Sequence, residues 1–470
     1  MNDSRESGGP RPPSADRGFN RWIWHLVIGI FAIYGALINV ADQRAFNLHQ
    51  MGVDALVEHG TFEIGLSSAP RLQPKLDAFI HEGKILSNKQ PGLSVIGAIV
   101  YFPLRAVGIS YEDHYELASA IVGWIVSGGF AALGVAFFFR ILNELWGYSR
   151  WCSAICGLLY GCGTTLLPYT GVLYHDTIAG ALLVVAFFLL ERTRLEVPKG
   201  EGTLATAEAG MLLGGVIFVS LLPLVIVILL VGYGCLWCRG RSLLGLLGGF
   251  VVGLCPLLVY NWHYFGSPLL MGYVALHDPK VSPQLDIAHM ARQLSHYLWW
   301  GKVAIIKYCP LIMLGLLSLP LLWRRVRPAA TFIALLTTAH MLYVSTMPTL
   351  GACQFPPRFL LVLLPFTVLP LAGLWTLGRP VARYVGLLLL VVTAGFSIGT
   401  NLLAALHGVM NCDTYRWIPA RMIEESAGLT QAMFPLWQPA AVVMAITTLS
   451  VWYQWTRWRT GNESGNVLES

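Results

Sequence analysis

Three short clusters carry most of the side chains with which this chain can do chemistry. The first is Asn39-Val-Ala-Asp42-Gln-Arg44, at the end of the first apolar run. A carboxylate at a membrane edge is partly desolvated, which raises its pKa and suits a general base. The other role open to Asp42 is to cap the helix that follows. The second cluster is His81-Glu82-Gly-Lys84-Ile-Leu-Ser-Asn-Lys89-Gln-Pro91-Gly92. Pro91 suits the first turn of a helix, whose N-terminus favours anions. Lys89 at headgroup depth can pair with a phosphate, or simply anchor the chain among anionic lipids. Glu82 and Lys84 are weaker members of the same loop. The third cluster is Tyr174-His175-Asp176-Thr177. An acid at the head of an apolar run is costly and usually functional, although Asp176 also suits an N-cap. A His-Asp pair can ligate a metal, but two candidate ligands are not a metal site. No cofactor is expected, and a divalent cation is the only one left open. Arg358 is a fourth candidate, either a bidentate anion ligand or an interface anchor at a span end.

The elements that must position these residues are membrane helices. The chain has 470 residues, 55% hydrophobic and 12% charged. Soluble domains carry about 25% charged residues. Apolar segments near the ~20-residue bilayer length recur at 22–40, 114–140, 151–170, 176–192, 207–221, 222–238, 243–263, 305–323, 328–346, 358–377, 382–403 and 438–456. The expected fold class is therefore all-α, an integral membrane protein of about twelve spans. Residues 1–20 read as a disordered tail, 21–456 as the polytopic membrane domain and 457–470 as a second tail. The net charge of +6 reflects Lys and Arg in short loops, and no nucleic-acid motif accompanies it.

Charge sets the sidedness. With 91–109 as an interfacial or re-entrant helix that does not cross, Arg140/Arg150, Arg192/Arg194/Lys199, Arg239/Arg241, Arg324/Arg325/Arg327, Arg379/Arg383 and Arg457/Arg459 all fall on the cytoplasmic side. Both termini then lie in the cytoplasm of a cell whose inner membrane holds the chain. The outer face receives 41–113, where the stretch 45–62, with Phe46, Met51, Ala55 and Leu56 at helical spacing and a stop at Gly60, reads as an amphipathic helix lying along the interface. It also receives 171–175, 264–304, 347–357 and 404–437. Aromatic and basic residues of 264–304, among them Tyr264, Tyr273, Trp299 and Trp300, suit sugar stacking or an aromatic belt. A disulfide between Cys353 and Cys412 is left open. His340 reads as a packed polar residue.

An acid after the first span, an interfacial helix, a Lys-x-Pro element and an acid before the fourth span occur in this order in the GT-C membrane glycosyltransferases. The chain resembles that group, in the lineage of protein O-mannosyltransferases and the aminoarabinose transferase of lipid A. Lys89-Gln-Pro-Gly is similar to its Lys-x-Pro-Pro-Gly element, Asn261-Trp-His-Tyr-Phe-Gly-Ser-Pro to its Phe-Gly-Ser/Asn-Pro segment, and Pro356-Pro-Arg-Phe-Leu to its Arg-Tyr-Leu segment. Gln43 stands where the group often has a second acid. The resemblance covers roughly residues 20–400. It implies a polyprenyl-phosphate sugar as donor, other membrane lipid around it, and a glycan, lipid or protein acceptor. It also implies inverting chemistry at the outer face. Asp42 would be the base, with Asp176 and His175 orienting it or a sugar hydroxyl. Lys89 and Arg358 would grip the phosphate, with Tyr174, Lys84 and Glu82 in the substrate-binding set. A secondary transporter or flippase of a lipid-linked or small polar substrate is the competing class.

Overall fold

The computed structural model describes residues 17–39, 43, 47–69, 77–196, 203–272, 283–301, 303–351, 354–409, 446–447 and 449–450, without the side chains of 17–22 and 196. Asp42, Cys353 and Cys412 lie outside the described residues, as do residues 1–16 of the expected first tail, the whole of the second and the segment 273–282; residues 17–20, expected in the first tail, instead open the first helix. Every expected apolar segment from 22–40 to 382–403 falls on a helix. The reason is that a backbone in lipid must satisfy its own polar groups, and a helix does so within one segment.

The helices are α1 (Arg17–Ala36), α2 (Asn47–His59), α3 (Gly92–Ala106), α4 (Tyr115–Leu145), α5 (Arg150–Cys162), α6 (His175–Glu196), α7 (Thr203–Val219), α8 (Leu224–Trp237), α9 (Arg241–Phe265), α10 (Ile287–Leu298), α11 (Pro310–Trp323), α12 (Arg327–Ser345), α13 (Arg358–Thr376) and α14 (Pro380–His407). By length and composition α4, α9, α12, α13 and α14 can each cross a membrane. Proline shapes α11 and α13. In α11 the helix breaks at Ser318 before Pro320, and in α13 two 3-10 stretches flank a short α-helical turn around Pro365 and Pro370. Pro lacks the N–H that a continuous α-helix needs. One small sheet departs from the all-helical expectation: β1 (Ala78–His81) pairs antiparallel with β2 (Lys84–Ser87).

The side-chain contacts sort the helix ends into two sets. At one end Arg325 donates to the carbonyls of Trp146 (2.8 Å) and Gly147 (2.7 Å). There the fully buried Glu191 accepts from Trp146 Nε1 (3.1 Å), the Tyr233 hydroxyl (2.7 Å) and Arg194 Nη2 (2.6 Å). These are the turns whose basic residues led the charge analysis to place them on one face. The other end holds all the candidate site residues described below.

Helix α2 is not amphipathic in the expected sense. Its polar residues Asn47, His49, Gln50 and Asp54 are buried along with Met51, Val53 and Ala55. Helix α2 packs closely on α3 through small residues. A Cβ on Gly52 would sit 2.3 Å from Ser94 Oγ, and one on Gly97 would sit 2.4 Å from Val53 Cγ2. Its polar side thus faces protein.

Helices α7 and α9 cross through interlocked small-residue stripes, Gly210-Met-Leu-Leu-Gly214 and Gly249-Phe-Val-Val-Gly253. A Cβ on Gly210 would lie 2.0 Å from the Leu246 carbonyl oxygen, and one on Gly253 would lie 2.1 Å from that of Met211. Backbone sets these limits, and backbone yields little. Gly215, on the same helix as Gly210, has open space around it. Gly210→Ala should therefore lower the thermal stability of the purified protein in detergent by at least the ~1–3 kcal/mol of core overpacking. Gly215→Ala should leave it unchanged or slightly raised. Equal melting curves for the two variants would show that the stripes are not in contact.

Candidate functional site

The site is built where α6 begins. Tyr174 precedes the helix, and its N–H donates to Ser127 Oγ at 3.0 Å. Ser127 sits in the π-helical turn Trp124–Gly128 of α4, a widening of the kind that often re-aims side chains at functional sites. His175 and Asp176 occupy the first turn of α6, where exposed backbone N–H groups favour an anion. The Asp176 side chain is only 2% exposed. Its Oδ1 accepts from Ser220 Oγ at 2.7 Å and lies 3.5 Å from His175 Nε2. Ser220 is the first residue after α7, so the α7–α9 clamp fixes the donor that the buried carboxylate requires.

A hairpin delivers the cations and acids of the first loop. In the register Ala78 faces Ser87. Asp77 and Asn88 are the next pair, and the Asn88 N–H donates to the Asp77 carbonyl at 2.9 Å. Asp77 adopts φ 69°, which Asp tolerates better than most residues. Its Oδ1 takes a hydrogen bond from Asn88 Nδ2 (3.1 Å) and an ion pair from Lys89 Nζ (3.1 Å). Burial alone would raise the Asp77 carboxyl. The Lys89 ammonium, the two hydrogen bonds and the more distant Arg358 outweigh it and hold Asp77 below its usual range. Next along the chain, Gly92 abuts the end of α7, since a Cβ there would meet the Phe218 carbonyl oxygen at 2.5 Å. The Lys89-Gln-Pro-Gly92 element is thereby pressed against the segment that carries Ser220.

Arg358 opens α13 after a cis Pro356–Pro357 peptide. Its Nη1 donates to the Tyr174 hydroxyl at 3.3 Å, and that hydroxyl donates to Gln354 Oε1 at 3.1 Å. The guanidinium lies 4.8 Å from the centre of the Phe359 ring. Among the described residues its buried Nε has no hydrogen-bond partner. Among the described residues no carboxylate forms a salt bridge with it, yet it is near enough to Asp176 and Asp77 for their charges to act on it. Gly351, at φ +108°, leaves room for this side chain, because a Cβ there would meet Arg358 Nε at 2.9 Å.

Of the residues singled out from sequence, Tyr174, His175, Asp176, Lys89 and Arg358 come together. Glu82 and Lys84 do not join them. Both are exposed at the tip of the hairpin, a full four-residue strand away, or about 13 Å at 3.3 Å per residue. Lys84 lies instead 5.7 Å over the Tyr264 ring. The Phe265-Gly266-Ser-Pro segment is the stop of α9: Gly266 takes the left-handed conformation (φ 70°) and Asn261 Nδ2 donates to the Pro268 carbonyl at 3.0 Å. Asp42 lies outside the described residues. Its neighbour Gln43 is buried and donates to the Gly171 carbonyl at 2.6 Å, on the segment leading into Tyr174.

Sequence reasoning missed His49, Asp77 and Ser220. His49 Nε2 lies 3.4 Å from His175 Nδ1. No local signal marked it, since a polar residue is expected on an amphipathic helix. His340 is packed, as expected, with Nε2 3.0 Å from the Phe359 carbonyl, but it also lies within electrostatic reach of Asp176.

Burial first, then the neighbouring His175 and Lys89, push the His49 pKa well below its ordinary value, with Asp77 opposing. The folded protein therefore keeps His49 neutral where the unfolded chain takes up a proton, below about pH 6.5. Stability should fall as pH drops from about 6.5, with one such site contributing up to about 1.4 kcal/mol per pH unit. His49→Gln should flatten the fall in melting temperature between pH 6.5 and 5. An unaltered slope would mean that His49 is solvated rather than buried against His175.

No protein-family model matches the chain, and no curated protein matches it in sequence. Two solved structures of ArnT from Cupriavidus metallidurans match 92% of its length. The apo form has 14% identity and a TM-score of 0.52 over 75% of the ArnT chain. The form bound to undecaprenyl phosphate has 13% identity and a TM-score of 0.54 over 76%. This chain is an all-α integral membrane protein that shares the fold of these two structures.

Proposed function

We propose that the protein is a membrane glycosyltransferase that moves a sugar from a polyprenyl-phosphate carrier to a glycan, lipid or protein acceptor. The observation that carries the proposal is Arg358. A guanidinium whose buried Nε has no partner is costly unless an anion completes it. Lys89 and the helix-terminal Asp176 stand around it, within electrostatic reach of one another. Arginine grips a phosphate through two parallel N–H bonds, and Lys89 adds a second positive charge from the facing loop. The structural neighbour that holds undecaprenyl phosphate supports the same ligand class here.

On this reading the carrier's tail lies in lipid and its phosphate at the outer rim of the bundle. The acceptor oxygen attacks the anomeric carbon while the bond from that carbon to the phosphate oxygen breaks, inverting the centre. Asp42 takes the acceptor's proton. Lys89 and Arg358 offset the charge that builds on the departing phosphate. His175, braced by His49, and Asp176, held by Ser220, orient Asp42 or a sugar hydroxyl. The assignment of Asp42 rests on its place in the sequence, one residue before the anchored Gln43. The membrane is the inner, cytoplasmic one, with both termini in the cytoplasm and the site facing outward.

Two sets of variants test this. Lys89→Ala and Arg358→Lys should each weaken binding of undecaprenyl phosphate about tenfold or more, since hydrogen bonds to charged groups are worth about 1.5–3 kcal/mol. Asp42→Asn should bind the carrier normally and lose about 10²–10⁴ in turnover with a sugar-loaded carrier in membranes, the usual share of a general base. Unchanged turnover in a folded Asp42→Asn protein would overturn the base assignment. Unchanged carrier affinity in the cation variants would overturn the phosphate site.

A further inference from the structure

Helix α10, in the second outer loop, buries a row of polar groups without partners. Gln293, His296 and Tyr297 follow the i, i+3, i+4 spacing and so share one face of the helix. Tyr297 is 0% exposed, and among the described residues its hydroxyl makes no hydrogen bond. The buried atoms Gln293 Oε1 and His296 Nδ1 make none either. Native proteins leave few such atoms unpaired, and three in one helical turn call for an explanation. Poor helix construction is not the reason. Asp286 caps α10 by accepting from the Ala288 and His289 N–H groups (3.4 and 2.9 Å), and His289 Nε2 lies 3.1 Å from the Met347 carbonyl. The unpaired atoms are confined to the C-terminal half of α10. There Tyr297 is near enough to Arg358 for the guanidinium charge to act on its hydroxyl. The helix also packs on α12, which carries His340 beside Asp176.

We propose that Gln293, His296 and Tyr297 form the subsite that holds the sugar of the carrier-linked donor. The inference rests on the reading of Arg358 and Lys89 as the phosphate grip. A sugar joined to that phosphate must lie within a bond or two of it, so groups that recognise the sugar have to be neighbours of Arg358. A pyranose or furanose ring presents hydroxyls that both donate and accept. A glutamine oxygen accepts, a phenol does both, and an imidazole nitrogen takes either role by tautomer. A buried site made to bond hydroxyls also rejects ligands that lack them, because its own polar groups are then left unpaired.

The test uses the full-length protein in lipid nanodiscs, with two kinds of probe: undecaprenyl phosphate alone, and undecaprenyl phosphate carrying glucose, galactose, mannose or arabinose. The wild type should bind at least one loaded carrier about tenfold more tightly than the bare one. Tyr297→Phe and Gln293→Leu should erase most of that preference while leaving bare-carrier affinity within about twofold. Because the groups they remove are unpaired in the empty protein, both variants should melt at the same temperature as wild type or higher. A structural role predicts lower melting, and a phosphate contact predicts equal loss for bare and loaded carriers. Either result, or a wild type with no preference for any loaded carrier, overturns the inference while leaving the phosphate site standing. A wild type that does not bind bare undecaprenyl phosphate removes the phosphate site, and this inference with it.

Discussion

The demand that shapes this site is solvation of a carboxylate where there is little water. Asp176 is nearly inaccessible at the head of α6, and an ionised group moved out of water costs several kcal/mol unless it is paired and hydrogen-bonded. The start of a helix supplies part of the answer through its free N–H groups. Ser220, His175 and the positive field of Lys89 and Arg358 add to it. Each of these comes from a different stretch of chain, so a single buried charge ties together the first loop, α6, the end of α7 and the start of α13.

Positions held to that tolerance need rigid supports, and small residues provide them. Interlocked glycines bring α7 and α9 to backbone contact, and that contact sets where Ser220 falls. Gly92 lets the Lys89 loop lean on the same helix end, and Gly52 and Gly97 let α2 press His49 toward His175. The two-residue turn Glu82-Gly83, with both φ values positive, closes a hairpin of the type whose twist suits paired strands. Its register then brings Asp77 to Lys89. A loop without this hairpin would leave the lysine free to wander at the rim.

The opposite end of the bundle offers a useful contrast. Glu191 is as deeply buried as any site residue, yet Trp146, Tyr233 and Arg194 satisfy it from three sides. Both oxygens of Glu191 are met by protein donors. Arg358 Nε and the inward face of α10 have the reverse character: buried polar atoms with no protein partner. That difference distinguishes a structural polar cluster from one whose remaining partner arrives with a substrate.

The membrane architecture was legible because its causes are local. A run of about twenty apolar residues must be a helix in lipid, and the arginines of the short loops sort the ends. Asp176 and Lys89 were visible for the same reason, as charges where charge is expensive. The hairpin was harder to see, since Ala78–Ser87 is short and its strands are only half-buried. Asp77 and His49 were not visible at all. Neither is unusual in its own sequence neighbourhood, and each matters only because a register or a helix crossing sets it against a distant partner. Glu82 and Lys84 erred the other way, close to Lys89 in sequence but carried off by the strands between. Sequence by itself determined that this chain lies in lipid, which ends of its helices share a face, and which buried charges need partners, because hydrophobicity and charge act residue by residue. Only the tertiary structure decided which partners those charges receive and which polar atoms remain unpaired, because packing distances between remote segments are written in no single stretch of the chain.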